Sequence, residues 1–382
     1  MAPDVLIVGG GPAGSIAALV LARAGVHVTL LDRASFPRDK LCGDSVNPGA
    51  MALLDRHGLG SAVAHAGVAI EGMRLTGPGS ASVTGRYPAG VFGRSVPRRE
   101  FDTMLLDAAM AAGARVELGI RVTGPLVEGS NGRTRVSGIR VAGARGAERC
   151  ARVVIAADGR GSVLARRLGL ASYAPAPRRW AIGAYFEQVD GLGAFGEMHV
   201  RARHYLGVAP MPGGLANACL VVPETTARQV ARQPAAALTS VLDGDRLLRD
   251  RFRNARRVSP AMVLGPLAIN ASSAGVEGLL LAGDAAGFVD PMTGDGIRIA
   301  LDGGELAARA ALDALGGEPD AHVRLSRRRR EAFGGKLRVN RLLRGLVDRP
   351  GSISAAALAA RIWPAAFRRL LDYAGDAPRV TS

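Results

Sequence analysis

DVLIVGGGPAGSIAALVLARAGVHVTLLDR, residues 4–33, decides the fold. DVLIV is a short β-rich apolar run, the length and texture of a strand buried on both faces. Residues 13–24 are rich in alanine and leucine and suit a helix, which Gly25 closes at the position where helices favour glycine. VHVTLL (26–31) is strand-like again and stops at Asp32. Strand, helix and strand with Gly9-x-Gly11-x-x-Gly14 at the first turn predict a βαβ unit that holds a dinucleotide. The first glycine permits the tight turn, the second lets a pyrophosphate approach the backbone, and the third lets the helix pack on the strand. Pro12 and Ala13 complete the loop, and the helix start offers N–H groups and a positive dipole end to phosphate. Asp32, with Arg33 beside it, stands where adenosine ribose hydroxyls would be accepted.

A second loop of this kind, GDAAGFVDPMTGDGIRIA, occupies residues 283–300. Gly283 and Asp284 follow the apolar run GLLLA, so the acid is presented at the carboxyl end of a strand, where α/β folds bind ligands. Pro291, Gly294, Asp295 and Gly296 then turn into a helix that begins near 296 and continues through Ile297. An aspartate there suits the ribityl hydroxyls of a flavin, and a helix N-terminus suits the negative charge of the reduced ring. The first loop leaves NAD and FAD open; the second favours FAD. Arg298, just past the turn, is a candidate charge toward substrate or nicotinamide.

The chain has 382 residues, 48% of them apolar and 21% charged, which fits a globular protein of two domains. No long uninterrupted apolar window predicts a spanning helix, and no basic N-terminal region predicts a signal peptide. Cys42, Cys150 and Cys219 form no CxxC pair and the six histidines no ligand spacing, so a cytoplasmic protein without disulfides or bound metal is expected. Net charge is +16, and residues 321–370, with thirteen basic and two acidic side chains, supply +11 of it. One reading is a solvated helical face in a chain that uses 47 arginines and two lysines; another is peripheral contact with an anionic membrane. No nucleic-acid motif accompanies the charge, and no nucleic-acid partner is expected.

Beyond the first βαβ unit, a helix is expected over about 100–112 and strands over 114–118, 134–142 and 149–157. Between about 170 and 268 prolines and aromatics become frequent, and runs such as HYLGVAP and NACLVVP alternate as antiparallel strands do. The expected fold is therefore α/β, with a discontinuous Rossmann-like FAD-binding domain. It would comprise 1–75, 96–168 and 270–320. An antiparallel β-sheet substrate domain (76–95 and 169–269) would be inserted in it, followed by a basic helical segment over 321–382.

GGGPAG at 9–14, RREFD at 98–102, ADGRGS at 157–162 and GDAAGFVDPMTGDGI at 283–297 resemble, in order and spacing, the motif set of FAD-dependent group A monooxygenases. KLCGDSVNPGAMALL at 40–54 is similar to the geranylgeranyl-reductase branch of that superfamily. The resemblance implies a Rossmann-like domain of the glutathione-reductase-2 (para-hydroxybenzoate-hydroxylase) type, with FAD bound through Gly9, Gly11, Gly14, Asp32, Arg98, Asp284 and Gly296. It also implies that Asp158 is shared between the FAD ribose and NADH or NADPH, the implied electron donor. Cys42 is implied near the flavin ring as a pocket-lining or catalytic group, and Gly43 would let the backbone approach the flavin. In HYLGVAPMPGGLANA (204–218) Tyr205 and Pro210 match the reductases, but glycine stands where they carry tryptophan. The paired tryptophans and catalytic lysine of flavin halogenases have no counterpart here. The leading expectation is thus NAD(P)H-driven oxygenation of a lipophilic, aromatic or polyketide-type molecule, with Phe195, Met198, Tyr205 and Pro210 as candidate pocket lining. An ene reductase of isoprenoid double bonds is the runner-up, and binding of a lipid surface or nucleic acid through the basic tail is the non-catalytic reading. A monomer or homodimer is expected.

Overall fold

The computed structural model describes residues 2–348 apart from 79–80, 130–134, 144–146 and 177, together with Ala355 and Trp363. Strand β1 (Val5–Val8), helix α1 (Pro12–Arg23) and strand β2 (Val28–Leu31) form the expected βαβ unit. Proline at its first turn starts α1, and Gly25, at φ +77°, turns the chain back into β2. Ala17 and Ala18 are fully buried, and their small side chains let α1 lie close on the sheet. The chain then leaves this layer to place β3 (Gly72–Thr76) in a second sheet, and returns through α2 (Arg98–Ala111) to β4 (Arg115–Glu117) and β5 (Val153–Ala156).

A longer excursion supplies β6 (Arg179–Glu187), β7 (Phe195–Arg201), β8 (His204–Met211) and β9 (Leu215–Pro223). The chain comes back in β10 (Leu279–Leu281) and ends in helices α3 (Gly296–Leu315) and α4 (Ala321–Asp348). The first sheet has six strands in the order Gly275–Val276, β10, β5, β1, β2, β4, parallel except at the Gly275 edge. The second has eight, antiparallel except where β3 runs parallel to β7. This is the mixed α/β architecture expected, with the antiparallel sheet joined to the Rossmann-like layer.

One face of the second sheet is covered by three short helices, Glu224–Arg232, Pro234–Gly244 and Arg246–Phe252. The alternating pattern of this region did not foretell them. They pack Leu238, Leu242, Leu248 and Phe252 onto Ile182, Leu206 and Leu220. The opposite face, with Ala181, Tyr205 and Val221, meets Leu41, Leu267 and Val347 of the rest of the molecule. The basic tail is helical through Asp348, and the expected segment beyond it lies outside the described residues except for Ala355 and Trp363. Arg327, Arg330, Arg338 and Arg341 are exposed, whereas Leu325, Arg329, Phe333 and Asn340 turn inward. Among the described residues no helix is long and apolar enough to cross a membrane.

Candidate cofactor and substrate site

The two glycine loops meet. Gly9 takes φ +106°, and a Cβ on it would lie 2.4 Å from the carbonyl oxygen of Ala157; one on Gly14 would lie 1.8 Å from that of Gly9. Those positions admit only glycine. Gly11 differs: a Cβ there would meet only Arg38 Nη2, at 3.6 Å, so space lies open above the first turn of α1. No side chain caps that turn, which leaves its N–H groups to a ligand. Across the loop Gly283, at φ +58°, packs so near Ala13 that a Cβ would sit 2.9 Å from the alanine's own, and Gly304 of α3 allows a still closer approach to Ala13.

Asp284 lines the resulting cavity with Lys40 and Arg160. Burial pushes the Lys40 ammonium and the Arg160 guanidinium down from their ordinary values, and the nearby Asp284 carboxylate opposes both. Gly294, Gly296 and Ile297 bring the start of α3 to the same cavity. Asp295 is not part of that lining. It accepts from Lys336 Nζ (2.8 Å) and Asn47 Nδ2 (3.2 Å) and does not cap α3, which leaves the helix start open toward the cavity. Two uncapped helix starts, open space at Gly11 and Gly296, and cations beside Asp284 fit the phosphates, ribityl chain and ring of FAD.

Other expected cofactor residues serve the loops. The Asp32 carboxylate accepts from the amides of Gly10 (2.7 Å) and Ala34 (2.8 Å) and lies outside the cavity lining; Arg33 is exposed. Asp158 Oδ2 accepts from the Val163 amide (3.0 Å), while its buried Oδ1 has no partner among the described residues. Burial raises this carboxyl. Arg98 lines the cavity and forms a two-pronged pair with Asp102 (2.7 and 2.8 Å), which Arg38 also joins at 3.1 Å. Arg298 pairs with Asp302 one turn along α3 (3.1 Å) and is not part of the cavity lining.

Cys42 and Gly43 do line the cavity. Burial raises the Cys42 thiol, with Arg98 opposing, so the group is held protonated rather than as a nucleophilic thiolate. Behind it lies a cluster the sequence reasoning missed. Asp44 is fully buried at φ +54°; its Oδ2 accepts from Tyr185 Oη (2.6 Å) and Asn217 Nδ2 (2.5 Å), and Asn217 also donates to the Cys42 carbonyl (2.8 Å). Burial lifts the Asp44 carboxyl to about 7 against the pull of Tyr185, Arg98 and Asn217. A single aspartate after a glycine has no periodicity to mark it, although it lay within the quoted 40–54 stretch.

The cavity has a volume of about 370 Å³ and reaches from these loops to the inner face of the second sheet. Of the four candidate pocket residues, Met198 and Tyr205 line it, whereas Phe195 and Pro210 lie outside that lining. Alternation along each strand turns both side chains away from Met198 and Tyr205. Phe195 is three residues from Met198, hence on the other face, where Arg74 and Arg86 lie over its ring; Pro210 alternates with the lining residues Tyr205, Gly207 and Ala209. Tyr205 Oη donates to Asp290 Oδ1, and Arg179 Nη1 lies 3.4 Å from the other carboxylate oxygen. Helix α4 supplies a further wall through Leu343 and Val347. Among the described residues no group of three or more His, Cys, Asp or Glu side chains could hold a metal ion.

The family model described as "FAD binding domain" matches residues 2–322. Menaquinone reductase of Mycobacterium tuberculosis is 33% identical over 327 residues, 80% of this chain and 75% of that protein. Digeranylgeranylglycerophospholipid reductase of Methanoculleus marisnigri is 30% identical over 316 residues, 81% of this chain and 76% of that one. Among solved structures, the FAD-dependent myxobacterial chondrochloren halogenase superposes with a TM-score of 0.82 at 25% identity, covering 97% of this chain and 91% of the halogenase.

Proposed function

The chain belongs to the FAD binding domain family, an FAD-dependent oxidoreductase family, and from that premise we propose that it is a reductase acting on a carbon–carbon double bond of a lipophilic prenylated substrate. The observation that carries this reading is the cavity itself. Its walls on the second sheet are mostly apolar, with Met73, Leu75, Met198, Val200, Tyr205 and Val221 beside the polar Thr76, Ser82, Glu197 and Asn217, and it runs without a break into the cofactor loops. The reductases that resemble the chain at 30–33% identity act, by their names, on a menaquinone and on a geranylgeranyl lipid, which supports an isoprenoid substrate.

FAD, when bound, would supply the hydride, itself replenished from NADH or NADPH. The chain's part is to hold and shape. Gly11 to Ala13 and the start of α1 would take the pyrophosphate, Asp284 the ribityl hydroxyls, and the start of α3 the ring. A double bond that accepts hydride at one carbon needs a proton at the other. In this reading Cys42, a thiol of the cavity wall, would give it and regain one from solvent once the product leaves. The aliphatic walls exclude water from the reduced cofactor.

Oxygen transfer to a bound ring is the second reading, favoured by the resemblance of the motifs at 9–14, 98–102, 157–162 and 283–297 to those of group A monooxygenases. One experiment separates them. Under nitrogen, with NADPH or NADH and a prenylated naphthoquinone, the enzyme should form a product whose quinone form, recovered by reoxidising any quinol in air, is heavier by two hydrogen atoms on mass spectrometry. A mass gain that vanishes on reoxidation is quinol formation and overturns double-bond reduction. A product that appears only with oxygen and gains an oxygen atom would replace reduction by oxygenation.

A further inference from the structure

Gly207 sits in the middle of β8, opposite Met198 of β7 and Cys219 of β9. Glycine within a strand weakens it and marks a bulge, a bend or the close approach of a ligand. The ladders on both sides run through Gly207 without a register shift, so there is no bulge. Its φ lies outside the left-handed region, and a Cβ would come no closer than 3.8 Å to any atom, the carbonyl oxygen of Glu197. Neither backbone nor packing therefore demands glycine here. The contrast with its neighbours is sharp. A Cβ on Gly183 would strike Leu41 Cδ1 at 2.4 Å, and one on Gly196 would strike Met73 Sδ at 2.7 Å. At those two positions a neighbouring side chain already fills the space and would have to move; the space left by Gly207 belongs to the cavity it lines.

We propose that Gly207 sets the breadth of the substrate cavity, which takes an uncharged ring or similarly broad apolar group across β8 rather than a single slim prenyl chain. Tyr205 flanks this space two residues along the strand and is fixed by Asp290 and Arg179, so that side is rigid. Met198, whose Cε would lie 3.9 Å from a Cβ at position 207, borders the other side with a flexible thioether that adapts to an occupant. Cys219 and Val221 continue the wall without a charged side chain. The inference rests on the proposed reductase reading and adds to it the shape of the substrate.

The test compares wild type with Gly207→Trp and Gly207→Ala, each loaded with FAD and kept oxidised, so that no turnover is involved. Two probes are titrated, a prenylated naphthoquinone and linear geranylgeraniol, and binding is read from the change in the flavin absorption spectrum. Gly207→Trp should retain FAD, lose about tenfold or more in affinity for the naphthoquinone, and change less than about threefold for geranylgeraniol. Gly207→Ala, which needs no rearrangement, should weaken the naphthoquinone by a smaller factor in the same direction, and it decides the matter if the tryptophan variant does not fold. Equal binding of the naphthoquinone by wild type and both variants, or equal loss of both probes, overturns the inference and leaves the reductase reading intact. Failure of FAD-loaded wild type to bind either probe overturns both.

Discussion

Asp44 adopts a left-handed conformation that few side chains tolerate, and it does so while fully buried between the cofactor layer and the second sheet. Three hydrogen bonds, two accepted by its carboxylate and one by the Cys42 carbonyl, tie the Cys42 loop to Tyr185 of β6 and Asn217 of β9. Burial raises the carboxyl from 3.8 to about 7, and the sign of the linkage follows. The folded protein binds a proton that the unfolded chain has already released between those values. Stability from this group is therefore full below pH 4 and is lost as pH rises toward 7, at up to about 1.4 kcal/mol per pH unit. Asp44→Asn, neutral throughout, should flatten the fall in thermal midpoint between pH 4 and 7 relative to wild type. Parallel profiles for the two proteins would show that the carboxyl does not titrate in that window. At this scale the sequence was legible where a residue has one permitted identity: Gly9 and Gly14 are fixed by contacts that no Cβ could survive. It was opaque where a polar side chain gains its role from partners distant in the chain, as Asp44 does from residues 185 and 217.

Helix α4 shows the same division along one element. Its charge suggested a solvated or membrane-facing helix, and the exposed arginines at 327, 330, 338 and 341 agree with an outward polar face. The inward face works otherwise. Arg329 Nη2 donates to the Ala286 carbonyl (3.3 Å), Lys336 holds Asp295, and Asn340 Nδ2 donates to the Asp290 carbonyl (2.8 Å) and to Thr293 Oγ1 (2.9 Å). These contacts fall along the second glycine loop from its beginning to its end. Composition could not reveal them, because an arginine-rich stretch looks alike whether a given side chain faces water or a loop. Lys336→Ala leaves the buried Asp295 carboxylate with Asn47 as its other donor, a change that costs about 3 kcal/mol when a buried pair is broken. The expected outcome for Lys336→Ala with Asn340→Ala is FAD affinity weaker by about tenfold or more with the fold retained, measured by flavin fluorescence on dilution. Unchanged affinity would mean that the loop holds its shape without α4.

Across the whole molecule, the cavity exists only because two sheets are held against each other. Both layers were foreseen from strand periodicity, but their joint face was not, since it depends on which side of each strand turns inward, the side from which Phe195 and Pro210 are absent. The bonds that cross between the layers are few and polar: Tyr185 and Asn217 to Asp44, Tyr205 and Arg179 to Asp290, and Arg160 to the Pro266 carbonyl (3.0 Å). Such buried polar contacts transmit a change in one layer to the other, because leaving either partner unpaired is costly. FAD would be held chiefly by the loops of the first layer, yet at a hundredfold excess over its Kd it should stabilise both, by about 2.7 kcal/mol. The two tryptophans make this measurable. Trp180 lies on β6 in the second sheet, and Trp363 is 68% exposed, so Trp363→Phe leaves Trp180 as the reporter. In that background the thermal transition of Trp180 emission should rise with FAD and coincide with flavin release. In Asp44→Ala, which removes the central bridge, the two transitions should separate, with Trp180 responding less to FAD. A Trp180 transition indifferent to FAD in the parent would mean that the sheets melt independently, and that the cavity's far wall is not set by the cofactor layer.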